Sequence, residues 1–323
     1  MTEANIRLGT DLITFYDAEL WGLPANTSYE ELMAAVAAEP KRYIEGMLDL
    51  SVEAGLDGIE LAPPPVGWET AIEVYGGPDG LRAALADRGL QLASSYHVGG
   101  ALIANALEDP STIGAAKAEL IRHAELLSAL GCRTMVSGTV PRAPFSDGSF
   151  TADVPTDVFG RIAELVDTFG ETVGRYGVTL ALHTDAYSVC SRVDDVSRMM
   201  DLTSPDHVGL CIDAGHCTLD SSDPVEILRR HVTRTPVMHW KDCAAPLDGA
   251  TLTGPFFDRH AEMLTYFRVL GSGIVDWPAW QEILREADWQ GWAHAEVDLS
   301  PDPLGDIRSG IDYFRCTLAP IHE

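Results

Sequence analysis

The sequence predicts a closed (β/α)8 barrel, the TIM-barrel form of the α/β class, built as one domain over residues 1–323. Three observations predict it. Eight short apolar runs alternate with amphipathic stretches from one end of the chain to the other. Each run is bounded by Gly, Pro or Asp, as buried strands are. Polar residues suited to chemistry collect where the runs end, and a barrel of this kind, about 250 residues before insertions, gathers its strand ends on one rim.

The strands are placed at 6–15, 57–63, 91–98 and 133–139 in the first half, and at 179–185, 208–213, 235–240 and 291–298 in the second. Helical patterns lie between them at 40–54, 112–130, 157–176, 193–202, 224–232, 277–287 and 304–317. Gly55, Gly131 and Gly177 follow three of these and read as helix stops. Alternating strands and helices give parallel neighbours joined by right-handed crossovers. Eight such units favour closure over an open sheet. No G-x-G-x-x-G follows the first strand, which removes the usual dinucleotide-binding reading. Three segments are too long for simple turns, 16–39, 140–155 and 241–275, and all follow strands on the catalytic side of a barrel. The last carries Phe256, Phe257, Tyr266 and Phe267, which suits a cover over the site, a subunit contact in an oligomer, or ordinary loop packing.

A formal net charge of −27 argues against nucleic acid as a partner, since that needs a basic footprint. No apolar run is long enough to cross a membrane. The start, MTEANIRLG, lacks the basic and apolar segments of a secretory signal, and the six cysteines include no C-x-x-C pair. Reduced thiols and a cytoplasmic protein are the expectation.

The strand ends carry the chemistry. Strand five ends His183-Thr184-Asp185, strand six Asp213-Ala214-Gly215-His216, strand seven His239-Trp240-Lys241-Asp242, and strand eight Glu296-Val297-Asp298. Strand two carries Glu60 and strand three His97. Charges inside apolar strands demand partners. His, Asp, His and Glu on one rim form a nitrogen and oxygen donor set that suits one divalent Mn²⁺, Zn²⁺, Co²⁺ or Fe²⁺ ion, with Mn²⁺ the first choice, and suits Ca²⁺ poorly. Such an ion polarises a carbonyl and stabilises the oxyanion of an enediolate. Candidate bases for the adjacent C–H proton are His183, Asp185, Glu296 and His97, and Lys241 is placed to steady the oxyanion or protonate a leaving group. Plainer roles stand beside these. Glu60 could pair with a nearby Lys or Arg, Asp298 could cap the next helix, and Asp242 could be a surface turn residue. His123, His207, His231, His260, His294 and His322 receive no role.

From His183 onward the motifs LALHTDAYS, VGLCIDAGHCTLDSSDPVEILRRH, VMHWKDC, GSGIVDWPAWQEILREADWQGWAHAEVD and DPLGDIRSGIDYF resemble the xylose isomerase-like barrels, the sugar phosphate isomerases and epimerases. The N-terminal half matches only in pattern, as in AGLDGIEL and LGCRTMV. The C-terminal half is similar to inosose dehydratases. The opening DLITFYDAELWGL and the aromatic segment at 244–270 resemble the catalytic subunit of bacterial C-glycoside deglycosidases. The resemblance implies that Asp213, His239 and Glu296 ligate the metal, that His216 contacts metal or substrate, and that Lys241 touches substrate. Glu60 is assigned to the substrate as well. His183 stands where the family's epimerases carry Glu, so His183 or Asp185 is the fifth-strand ligand, or that strand supplies only the base. The activity implied is a lyase that enolises a keto-sugar, foremost a 3-oxo-glycoside whose carbon–carbon bond is cleaved with the aid of a small β-sandwich partner subunit. Dehydration of an inosose is the alternative. An isomerase or epimerase is disfavoured by the missing fifth-strand carboxylate, a phosphodiester nuclease by the net charge, and a non-catalytic scaffold by the assembled rim.

Overall fold

The computed structural model describes residues 6–145, 150–253, 256–298 and 300–322. Eight parallel strands close a barrel: β1 (Ile6–Asp11), β2 (Gly58–Leu61), β3 (Gln91–His97), β4 (Thr134–Ser137), β5 (Thr179–His183), β6 (Val208–Asp213), β7 (Val237–Trp240) and β8 (Gly291–Ala295). Each pairs with its neighbours in chain order, and β8 closes on β1. All eight fall inside their predicted ranges. The observed strands are shorter because the last residues of several ranges leave the ladder to form the rim.

Side chains alternate across the strands, except where a register shift between β2 and β3 turns both Ala93 and Ser94 inward. One set fills the barrel and the other packs under the helices. Ala93, Val136, Ala181, Cys211, Val237 and Trp292 plug the N-terminal half of the interior. The larger core lies between barrel and helices, with Leu8, Ile59, Met135, Leu180, Leu210 and Met238 meeting residues such as Met47, Leu127, Phe169 and Leu228. Above the apolar plug the interior turns polar. His294 packs against Gly9, where a Cβ would run into the imidazole, so β1 can carry no side chain at that point.

The helices predicted over 40–54, 112–130, 157–176, 193–202, 224–232 and 277–287 appear as Pro40–Ala54, Ile113–Leu130, Thr156–Gly174, Val193–Leu202, Pro224–His231 and Trp277–Glu286. The last predicted helix begins as Pro303–Tyr313 and continues through a wider π-type turn, Phe314–Leu318. Seven helices among the described residues are additional: Tyr29–Ala38, Trp68–Tyr75, Pro78–Ala86, Gly99–Glu108, Ala214–Leu219, Phe256–Leu264 and Ala319–His322. The first lies inside the predicted 16–39 segment and starts at a capping box, with Ser28 accepting from the Glu31 amide and Glu31 accepting from the Ser28 amide.

The 241–275 excursion is ordered at its root. Asp242–Cys243 pairs antiparallel with Phe267–Arg268, and the helix Phe256–Leu264 lies between them. The side chains of Phe256 and Phe257 lie outside the described residues. Asp242 is no surface residue. It is fully buried and accepts from the amides of Cys243, Gly271, Gly273 and Val275 and from the indole N–H of Trp277, at 2.8 to 3.1 Å. A Cβ at Gly273 would overlap this carboxylate. Among the described residues no helix is long and apolar enough to cross a membrane.

Candidate metal centre and active site

Register brings the site together. Asp213 on β6 pairs directly with His239 on β7, and β8 beyond it ends in Glu296. One oxygen or nitrogen from each of Asp213, His239 and Glu296 lies within 4.8 Å of the others. His239 Nδ1 is 2.6 Å from Glu296 Oε2 and 3.9 Å from Asp213 Oδ2. From β5, His183 Nε2 points at the same spot, 3.2 Å from His239 Nδ1 and 3.6 Å from Asp213 Oδ2.

These groups fit a divalent cation. Asp213 Oδ2 and Glu296 Oε2 are buried and face the common centre without a well-aligned hydrogen bond among the described residues, their nearest cations being Lys241 Nζ at 3.3 Å and His239 Nδ1 at 2.6 Å. A buried carboxylate oxygen without a donor is costly unless a cation faces it. Charge balance points the same way. Asp11, Glu60, Asp185, Asp213, Glu296 and Asp298 crowd one region around a single ammonium, that of Lys241. The titratable groups answer by taking up protons. Burial together with Glu60 and Glu296 pushes the Asp11 carboxyl well above the usual range. Burial resists charging of His183 and His239, but Asp185 and Asp213 around the first, and Cys211, Glu296 and Glu60 around the second, hold both imidazoliums well above their ordinary range. Burial likewise opposes the Asp213 and Glu296 carboxylates, and Lys241 together with His216 and His183 around the first and His239 beside the second keeps both ionised.

His183 gives Nε2 to the centre while its Nδ1 lies 2.8 Å from Asp185 Oδ1. A carboxylate behind an imidazole orients it and fixes which nitrogen is available. His183 thus presents Nε2 to the centre, and Asp185, with its side chain 31 % exposed, faces the cavity at the mouth.

Several expectations need correcting. Glu60 does not face the cavity. It is fully buried behind His239, with Oε1 3.3 Å from Nε2, and its other oxygen accepts from Ser94, whose hydroxyl is 2.8 Å from His294 Nε2. It supports a ligand rather than a substrate, and no Lys or Arg pairs with it among the described residues. His97 is not in the site. It points into the helix layer, 3.2 Å from Glu119 and stacked near His123. Its neighbour Tyr96 takes the inward position, in phase with Ser94. Asp298 caps no helix, because Asp302 accepts from the Gly305 amide there. Asp298 instead joins Lys241 Nζ at 2.7 Å, and Glu296 Oε1 and Asp213 Oδ2 stand 2.6 and 3.3 Å from the same nitrogen. With three carboxylates around it, the Lys241 ammonium holds the site's charges in place and is poorly suited to giving up a proton. His216 lines the cavity against Phe267, and its Nδ1 accepts from the Ala186 amide. Burial lowers its pKa to about 3, so the ring is neutral.

Asp11, Tyr96 and His260 also line the mouth, and the sequence pattern marks none of them as part of the site. Asp11 ends β1 and pairs in register with Glu60 on β2, and strand parity from Ser94 would have found Tyr96. His260 carries no such signal, because it arrives on the helix Phe256–Leu264. The cavity over the centre measures about 270 Å³. A neighbouring chamber of about 350 Å³ shares Tyr96, Asp185, His216 and His260 with it. That chamber is lined further by Phe150, Tyr187, Leu252 and Met263.

Comparison with known proteins agrees with this fold. Residues 48–316 match the model of the family described as xylose isomerase-like TIM barrel. An inosose dehydratase of Lacticaseibacillus casei is 25% identical over 202 residues, which is 57% of this chain and 64% of that enzyme. The rhizopine catabolism protein MocC of Rhizobium meliloti is 29% identical over 190 residues, 57% of each chain. The matches thus span less than two thirds of either relative. The crystal structure of the IOLI protein with a binding zinc atom superposes with a TM-score of 0.66 over 98% of both chains at 14% identity, a likeness of fold.

Proposed function

As the chain belongs to the xylose isomerase-like TIM barrel family, we propose that it is a divalent-metal-dependent lyase that enolises a keto-sugar or keto-polyol and expels the substituent β to the carbonyl. The convergence of nitrogen and oxygen donors from His183, Asp213, His239 and Glu296 at the ends of four successive strands is the observation that carries this. Those four residues would hold the ion, Mn²⁺ in our reading of the nitrogen and oxygen donor set. When bound it supplies Lewis-acid polarisation of the substrate carbonyl.

The remaining chemistry belongs to the chain. Asp185 faces the cavity as a carboxylate, held ionised against burial by His183, and takes the proton from the carbon beside the carbonyl. Glu60 locks the His239 ring from behind. Lys241 keeps Asp213 and Glu296 ionised and fixed. The single carboxylate facing the cavity from strand five favours one-way proton removal over the two-base shuttle of an epimerase. Relatives named as inosose dehydratases support loss of water. A second reading, in which the departing group is the aromatic carbon of a C-glycoside and a small β-sandwich subunit assists, is favoured by the apolar chamber beside the centre.

The test is incubation of the protein with an inosose in D₂O, with Mn²⁺ and then with chelator. Elimination product formed only with metal is the expected result. An epimer carrying solvent deuterium, with no group lost, would replace the lyase by an epimerase.

A further inference from the structure

The carboxylates are not all that His183 and His239 face. Cys211 precedes Asp213 by two residues on β6, so both side chains point into the barrel. β5 pairs His183 with Cys211, one inward position below the level at which Asp213 pairs with His239. The thiol is fully buried among the residues that plug the interior, beneath the metal centre. His183, Cys211 and His239 each bring a donor atom within 4.8 Å of the other two. The two histidines thus belong to two donor sets. Asp213 and Glu296 complete one from above, and Cys211 completes the other from below.

The sets favour different ions. Carboxylates suit hard ions such as Mn²⁺, whereas a thiolate suits Zn²⁺ and its softer congener Cd²⁺. The spacing is right for the second set. In a tetrahedral zinc site, with Zn–N of about 2.0–2.1 Å and Zn–S of about 2.3 Å, two nitrogens stand about 3.3–3.4 Å apart and nitrogen and sulfur about 3.6 Å. His183 Nε2 and His239 Nδ1 are 3.2 Å apart, and the sulfur lies within the 4.8 Å envelope.

We propose that Cys211 gives this centre a second, soft-cation site with His183 and His239, which Zn²⁺ or Cd²⁺ takes in place of the position that Asp213 and Glu296 offer to Mn²⁺. On binding, the thiol proton passes to solvent and both imidazoles donate as neutral rings. Because the two sites share both histidines, filling one empties the other. Cys211 therefore makes the protein sensitive to soft metals, since an ion held on the thiol side keeps Mn²⁺ out of the position nearest the cavity. This rests on the metal-centre reading above and is independent of which reaction the centre serves.

The experiment uses protein carrying Cys316→Ser, which removes the exposed thiol. It is loaded with Mn²⁺ and titrated with Cd²⁺. Ultraviolet absorbance reads the thiolate-to-cadmium charge-transfer band, and electron paramagnetic resonance reads the Mn²⁺ released. The band should grow and Mn²⁺ should leave in step, both ending at one Cd²⁺ per chain. With Cys211→Ala added, the band should be absent while Mn²⁺ still binds, which shows that the variant is folded. With Cys217→Ala added instead, another buried thiol is lost and the band should stay. Release of Mn²⁺ without a band overturns the proposal, because cadmium then takes the carboxylate set and Cys211 only fills space. A band without release, a band that survives Cys211→Ala, or one that vanishes in Cys217→Ala overturns it too, by placing the reacting thiol elsewhere. So does the absence of any response to cadmium. If Cys211→Ala does not fold, the coupling of band to release in the parent protein still decides. A parent protein that takes up no Mn²⁺ at the outset would instead remove the metal-centre reading itself.

Discussion

Removing the Lys241 ammonium should be among the most damaging single changes to the metal-free protein, and metal should repair much of it. The ammonium is 1 % exposed and stands within 3.3 Å of oxygens from Asp213, Glu296 and Asp298. Lys241→Met keeps most of the stem and deletes the charge, which lies 4.7 Å from the centroid of the Phe267 ring. Deleting one partner of a buried ion pair costs about 3–5 kcal/mol, because the other charge stays buried without compensation. Unfolding entropy of about 2.1 cal/mol/K per residue gives roughly 0.7 kcal/mol/K for this length, so the melting temperature should fall by about 4–7 °C in EDTA. A divalent ion at the centre restores positive charge to Asp213 and Glu296. With saturating Mn²⁺ the deficit should therefore shrink to less than half. Scanning calorimetry of both proteins, each with EDTA and with Mn²⁺, reads all four values. A fall below about 1 °C in EDTA would show that the carboxylates do not depend on Lys241. An equal fall with and without metal would show that the ion does not sit among them.

Glu60→Gln keeps the size of the side chain behind His239 but removes the charge facing Nε2, and should weaken Mn²⁺ binding about 10–100-fold by calorimetric titration. Asp242→Ala strips an acceptor from the amides of Gly271, Gly273 and Val275. Those amides should exchange with deuterium faster than in wild type, and unchanged protection would remove Asp242 from its role at the root of the excursion. Burial, and then His97, depress the pKa of His123 well below its ordinary value. The unfolded chain therefore binds this proton first as pH falls. Stability from the neutral ring is complete above about pH 6.5 and declines below it by up to about 1.4 kcal/mol per pH unit. Urea midpoints at pH 7.5 and 5.5 should differ more for wild type than for His123→Gln.

The barrel is legible in the sequence because its strands are buried on both faces and so read as continuous apolar runs between turn residues. The cluster of polar residues at the rim is legible because a charge at the end of such a run is costly to bury unless it is paired. What escapes is of two kinds. Some residues take a different role from the one their place in a strand suggests, and strand parity is the reason: Ser94 faces Glu60 inside the barrel while Ser95 meets His123 outside, which sends Tyr96 inward and His97 outward. Others depend on long-range pairing that no local pattern carries. Nothing near Asp298 in the chain announces that its partner is Lys241, and nothing near His260 announces that its helix lies over the mouth. The short helices Trp68–Tyr75 and Pro78–Ala86 fall where Gly and Pro punctuate the chain so closely that periodicity has no room to show.

The knot at Asp242 separates two demands that often conflict. The barrel must hold its strands in register to aim four ligands at one point. The stretch above β7 must conform to whatever is bound. Since five donors close on one carboxylate at the foot of that stretch, strain or exchange of sequence above the knot stops there and does not reach His239. The excursion behaves as a cassette on a fixed socket, free to be reshaped for a new ligand while the machinery beneath it stays aligned.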